Sequence, residues 1–223
     1  MIFELAVFHP DSLQIAQDCE VSRIELCDNY QVGGVTPSIN YFKEARRIFS
    51  GPIRVMIRPI AGGFVYNDAT VLQMQEEIKL FDNLGADGFV LGCLTNNHDV
   101  NASQLAMLVK AAKNKPVTFH RAIDDTTDYE NAINTLINCG VSGVLTTGKS
   151  SSALEGKNKI EEMMLKYGPQ LTFIAGGGVR SKNVLELLAN SHISEIHSAA
   201  ITTSIDYIAD QSEVLAIIEK VKG

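Results

Sequence analysis

Apolar, often β-branched runs recur along the chain with amphipathic stretches between them. Eight such runs predict strands: Ile2–Phe8, Arg23–Cys27, Ile53–Arg58, Gly88–Gly92, Val117–His120, Gly143–Thr146, Leu171–Ala175 and Glu195–Ser198. Their starts lie roughly 21 to 35 residues apart, the spacing one strand-plus-helix unit needs. Helical signals fill the gaps. Ser152-Ala-Leu-Glu155 reads as a capping box, with Ile160, Met163, Met164 and Tyr167 following on one face and Gly168-Pro169 closing it. Ala132, Ile133, Leu136 and Ile137 make another face, stopped by Gly140, and Val214, Ile217, Ile218 and Val221 make the last. Gly85-Ala-Asp-Gly88 and Gly140-Val-Ser-Gly143 are near-copies of one helix-to-strand turn.

Strict βα alternation allows an open doubly wound sheet or a closed barrel. An open sheet carries helices on both faces, so its central strands are apolar on both sides. Here several strands are apolar on one side only. Ile24 and Leu26 alternate with Arg23, Glu25 and Cys27; Val55 and Ile57 alternate with Arg54, Met56 and Arg58. Phe3, Leu5 and Val7 alternate with Glu4, Ala6 and Phe8. The pattern predicts a (β/α)8 TIM barrel with the apolar set turned outward against a ring of helices. Glu4, Glu25, Arg58, His120 and His197 then face the interior. Unpaired, each such charge would cost several kcal/mol or shift its pKa until neutral. They must pair with one another or meet a ligand. The plainer reading is an ion-pair network that only fills the barrel. No linker or compositional break divides the chain, so residues 1–223 read as one domain.

Composition adds limits. The chain has 223 residues, 45% of them hydrophobic, with 19 Lys and Arg against 26 Asp and Glu for a net charge of −7. No basic footprint for nucleic acid or for an anionic membrane surface is expected. The first residues, Met1-Ile-Phe-Glu-Leu-Ala-Val7, lack the basic start of a secretion signal and read as a strand. A cytoplasmic protein is the expectation, with homo-oligomerisation left open. Four widely spaced cysteines without a C-x-x-C pair are read as reduced thiols rather than a disulfide frame.

Two segments carry candidate chemistry. Thr118-Phe-His120-Arg121-Ala-Ile-Asp124 runs off the fifth strand. His120 can exchange protons, Arg121 offers a planar fork to an anion, and Asp124 can orient either. Gly176, Gly177 and Gly178 follow the seventh strand, where barrels often hold phosphate, and Ser181 is expected to cap the next helix. Val32-Gly-Gly-Val-Thr-Pro37 is a second loop able to close over a ligand. For a metal, Cys27, His120 and His197 are the candidates, with no local ligand spacing.

Arg23-Ile-Glu-Leu-Cys27, Gly33-Gly-Val-Thr-Pro-Ser38, Met56-Ile-Arg-Pro59, Thr118-Phe-His-Arg-Ala122, Leu145-Thr-Thr-Gly148, Gly176-Gly-Gly-Val179 and Glu195-Ile-His197 resemble, in order, the motifs of the CutC family of copper homeostasis proteins. The resemblance runs to about Ala200. It implies a (β/α)8 barrel, a cytoplasmic setting and copper handling, with Cu(I) held through Cys27. The sequence departs from the family pattern at Ala6, where a first cysteine is usual, and at Ile60-Ala-Gly-Gly-Phe64, which lacks the usual Arg and Asp. Two readings stand. One is a copper-homeostasis protein binding Cu(I) at Cys27. The other is an enzyme or binding protein for a small anionic, phosphorylated metabolite. In it Glu25, His120 and Asp124 do acid–base work, and Glu4, Arg58, Arg121, His197 and Gly176–Gly178 hold the ligand.

Overall fold

In the computed structural model, which describes residues 1–203 and 206–222, eight parallel strands close on themselves in sequence order. The strands are β1 (Ile2–Val7), β2 (Arg23–Leu26), β3 (Ile53–Met56), β4 (Gly88–Leu91), β5 (Val117–Phe119), β6 (Gly143–Thr146), β7 (Thr172–Gly176) and β8 (Glu195–Ser198). The helices are α1 (Pro10–Asp18), α2 (Ile39–Ile48), α3 (Asp68–Leu84), α4 (Ala102–Ala112), α5 (Tyr129–Asn138), α6 (Lys157–Tyr167), α7 (Val184–Leu188) and α8 (Gln211–Lys222). The expected (β/α)8 barrel is present. Among the described residues no helix is long and apolar enough to cross a membrane.

The side-chain alternation is borne out. Phe3, Leu5, Ile24, Leu26, Val55 and Phe119 join the apolar layer shared with the helices. Each buried side chain of that size contributes about 1.5–3 kcal/mol. Cys27, Met56 and Val90, of the opposite parity, form a separate small cluster with Phe8 inside the barrel. Register stacks the interior charges: Glu4 lies beside Arg23 and His197, and Glu25 beside Arg54.

Three sequence expectations are corrected. Phe8, Arg58 and His120 stand just past the ends of β1, β3 and β5, because the chain bends there into the loops. Only half of the capping box forms: Ser152 Oγ accepts from the Glu155 N–H at 3.3 Å, but the Glu155 carboxylate turns to Ser151 and α6 starts at Lys157. Ser181 caps no helix. Glu213 of α8 accepts from both its N–H (2.6 Å) and its Oγ (2.7 Å), and α7, five residues long, starts after Asn183. Among the described residues the glycine loop therefore does not run directly into a helix start, and any anion there must rely on other groups.

Candidate functional site

The interior is layered. At its base Glu4 accepts from Arg23, which also donates to Glu195 at 2.8 Å, while Arg54 lies 3.7 Å from Glu4. Burial alone would raise the Glu4 pKa, but the His197 hydrogen bond and the Arg23 charge outweigh it and hold the carboxyl at about 2. Glu4 is thus a permanent anion locked between cations. It stands beneath the cavity and not on its wall. The sequence reading missed Arg23, Arg54 and Glu195 as partners. Their signal was available, since Arg23 shares its parity with Glu25, and Arg54 with Arg58.

Above this layer His197 bridges two carboxylates. Its Nδ1 is 2.9 Å from Glu4 Oε1 and its Nε2 is 3.5 Å from Glu25 Oε2. Burial works against the charged ring, yet the charges of Glu25 and Glu4 prevail and raise its pKa. Burial pushes Glu25 up to about 7 against the pull of His197. Glu25 Oε1 is buried without a hydrogen-bond partner.

The mouth of the barrel opens onto a cavity of 310 Å3 lined by Glu25, Cys27, Arg58, His120, Arg121 and His197, among others. Six of the expected site residues therefore meet here. Arg58 is 5% exposed. Its Nη1 donates to the carbonyls of Val32 and Gly34, both at 2.8 Å, and its Nη2 to that of Gly62 at 2.5 Å. Among the described residues no carboxylate forms an ion pair with it. A guanidinium held only by carbonyls keeps its charge available to a ligand. Gly34, at φ +92°, lets the loop turn tightly over Cys27 and Phe8, where an added Cβ would lie 3.5 Å from each.

His120 is also 5% exposed. The backbone N–H of Ala122 donates to its Nδ1 at 3.2 Å, so the ring proton sits on Nε2. Nε2 is buried without a partner. Burial, with the Arg58 charge beside it, pulls the His120 pKa down to about 3. The ring is neutral through the physiological range. Phe64 packs on it at 4.7 Å between centroids and lies under Arg58 at 5.0 Å. Phe64 was not singled out in the sequence, because it comes from an irregular loop with no periodic signal.

Arg121 stands at the rim, its side chain 49% exposed, with Nε donating to Asp124 at 3.2 Å. Asp124 also accepts from Thr146 Oγ1 at 2.6 Å and from the Thr147 and Lys149 N–H groups. Its carboxylate pins the loop after β6 and steers Arg121, and it does not line the cavity. The glycines divide. Gly176 is buried in β7 beside His197, while Gly177 and Gly178 border a second hollow of 220 Å3 that shares Arg121 and His197 with the first. At Gly177, φ is +102° and an added Cβ would meet Thr147 Cγ2 at 2.4 Å.

As a donor for Cu(I), Cys27 is poorly placed. Burial and the Glu25 charge push its thiol well above the ordinary cysteine value, whereas a metal needs the thiolate. Ala6 offers no second sulfur, and the thiols of Cys93 and Cys139 hydrogen-bond to the Asn101 and Ala102 carbonyls at the start of α4. Glu4, Glu25 and His197 have ligand atoms within 4.8 Å of one another. Glu4 is already held by Arg23, Arg54 and the His197 ring, which leaves two donors, too few for a closed site.

The CutC family model matches residues 1–202. A Pasteurella multocida protein named "family protein CutC" is 38% identical over 197 residues, covering 88% of this chain and 81% of that one. The human "Copper homeostasis protein cutC homolog" is 36% identical over 196 residues, covering 86% of this chain and 72% of its own length. The crystal structure of CutC from Streptococcus agalactiae superposes with a TM-score of 0.84 at 30% identity, covering 89% of this chain and 98% of that one. An N-(5'-phosphoribosyl)anthranilate isomerase from Pyrococcus furiosus shares the fold alone, at a TM-score of 0.61 and 14% identity. With its motifs in order and its barrel superposed, the chain belongs to the CutC family.

Proposed function

We propose that the barrel mouth binds a small anionic metabolite, phosphorylated or carboxylated, in the cytoplasm. The observation that carries this reading is the buried Arg58 guanidinium, without a carboxylate ion pair among the described residues, on the wall of the cavity that His120 also lines. A buried charge without a counter-ion is costly, and an anionic ligand would offset that cost. Arg121 at the rim and the backbone of Gly177 and Gly178 extend the same positive edge toward a second anionic group. Glu25 supplies an acid–base group beside the bound ligand, and His120 an N–H donor. Glu4 and His197 fix the position of Glu25, and Asp124 fixes that of Arg121. Copper handling, named for the human relative, would rest on Cys27 and finds less support in a single protonated thiol.

The test is calorimetric titration with phosphoglycolate, inorganic phosphate and malonate. At least one should bind, and Arg58→Met should weaken that probe at least tenfold, about 1.4 kcal/mol. Binding that is equal in the wild type and the variant, or absent for all three probes, refutes the reading.

A further inference from the structure

We infer that this mouth is built to remove a proton from carbon next to a carbonyl: Glu25 Oε1 takes the proton, and the His120 Nε2–H holds the oxygen that gains the charge. The inference rests on the anion reading above and adds a reaction to it. In the step, the C–H bond breaks and its proton forms an O–H bond with Glu25. The electron pair becomes the C=C bond of an enolate, and the carbonyl oxygen takes the negative charge. Return of the proton to the same carbon reforms the carbonyl and regenerates the Glu25 carboxylate. No oxidant, reductant or metal enters the balance.

Three arrangements support it. First, His120 cannot act readily as a base, because the Ala122 N–H occupies its Nδ1. What it can do is donate one N–H, and that donor lacks a partner. A neutral imidazole N–H can hold a developing enolate oxygen by hydrogen bonding without protonating it outright. Second, Glu25 comes from β2 and His120 from the end of β5, and both line one cavity. At 310 Å3 that cavity is at the low end of the range of about 300–1,000 Å3 for small-molecule sites, which suits a ligand of a few carbons.

Third, the layer beneath Glu25 is arranged to store one mobile proton. Arg23 and Arg54 are balanced by Glu4 and Glu195, so the neighbouring Glu25 and His197 remain neutral as a pair whichever of them holds the proton. Glu4 fixes the His197 ring by its Nδ1 and turns Nε2 toward Glu25. Burial lifts the Glu25 carboxyl toward neutrality, the range a base for a carbon acid requires. Arg58, beside His120, adds positive charge where the enolate forms. The groups facing Glu25 are thus His197 from β8, Glu4 from β1, Arg54 from β3 and the thiol of Cys27, one residue past the end of β2. His197 is a positioning residue here, acting through Glu25.

The experiment takes two carbon acids with anionic groups, dihydroxyacetone phosphate and 2-oxobutyrate. Each is titrated by calorimetry and then incubated with the protein in D2O while the α-proton signal is followed by NMR. The expected result is that at least one binds and loses its α-proton at least 100-fold faster than in buffer. Glu25→Gln should keep its affinity within about threefold and slow exchange about 100-fold or more, the usual contribution of a general base. His120→Leu should slow exchange by a similar factor. His197→Gln should move the pH at which exchange switches on upward, because the imidazolium that favours the Glu25 carboxylate is gone. A bound probe that does not exchange overturns the inference and leaves the anion reading standing. Failure of both probes to bind overturns the inference, and the anion reading falls with it only where phosphoglycolate, phosphate and malonate also fail to bind. Exchange that persists in Glu25→Gln, or a pH profile unmoved in His197→Gln, removes the assigned base or its positioning partner.

Discussion

The neutrality of His120 has a direct consequence for acid stability. In the unfolded chain an imidazole protonates near 6.5, whereas in the native barrel its pKa is about 3. Between these values the unfolded state binds a proton that the native state does not. Stability is therefore intact above 6.5 and lost as pH falls, at about 1.4 kcal/mol per pH unit. From pH 7.5 to 5 the loss from this one residue is about 2 kcal/mol. Glu25 and His197 titrate too, so the clean measurement is a difference. Urea unfolding of the wild type and His120→Gln at pH 7.5, 6 and 5 should show the wild type losing about 2 kcal/mol more than the variant, with unchanged m-values. Arg58 is the charged group facing the ring and is common to both proteins. Parallel pH dependence, within about 0.5 kcal/mol, would mean that the native ring accepts a proton normally. The fixed Nε2–H donor, and every step assigned to it, would then be wrong.

Glu4→Gln breaks the buried pair with Arg23 and should cost about 3–5 kcal/mol at neutral pH, read by urea or thermal unfolding. Because the native Glu4 pKa is depressed to about 2, the penalty should be full above about pH 4.5 and shrink as pH falls toward 2. Cys27→Ser should leave Cu(I) affinity unchanged in anaerobic competition against a chelator; a clear loss of affinity would restore the thiol as a metal ligand.

Much of this architecture is legible in the amino-acid order, for a physical reason. A barrel strand has one face against helices and one inside, so the alternation of Ile24 and Leu26 with Glu25 and Cys27 reports both the fold and the side that carries chemistry. Strand positions follow from the same pattern, and all eight fall where the apolar runs lie. What the alternation cannot report is how the interior groups pair. Arg23 and Arg54 alternate with apolar residues as Arg58 does, yet Arg23 is paired with Glu4 and Glu195 and Arg54 lies 3.7 Å from Glu4, while the loop carbonyls hold Arg58 without an acid among the described residues. The loops were the least legible part. Ser181 has the local sequence of a helix cap, but α8 brings Glu213 within reach and takes both its donors. Phe64, which braces both His120 and Arg58, has no periodic neighbours to give it away.

The grip of Arg58 on Val32, Gly34 and Gly62 has one more implication. Two separate loops are clasped by a single side chain that three carbonyls hold in place, so an arriving guest finds the wall of its chamber standing. Gathering a comparable long, flexible side chain at the moment of contact would forfeit about 0.5–1.5 kcal/mol in lost rotamer freedom. Here that loss was absorbed during folding. Rigidity of this kind favours guests that fit the opening as it stands, which makes the chamber a narrow sieve rather than an accommodating glove.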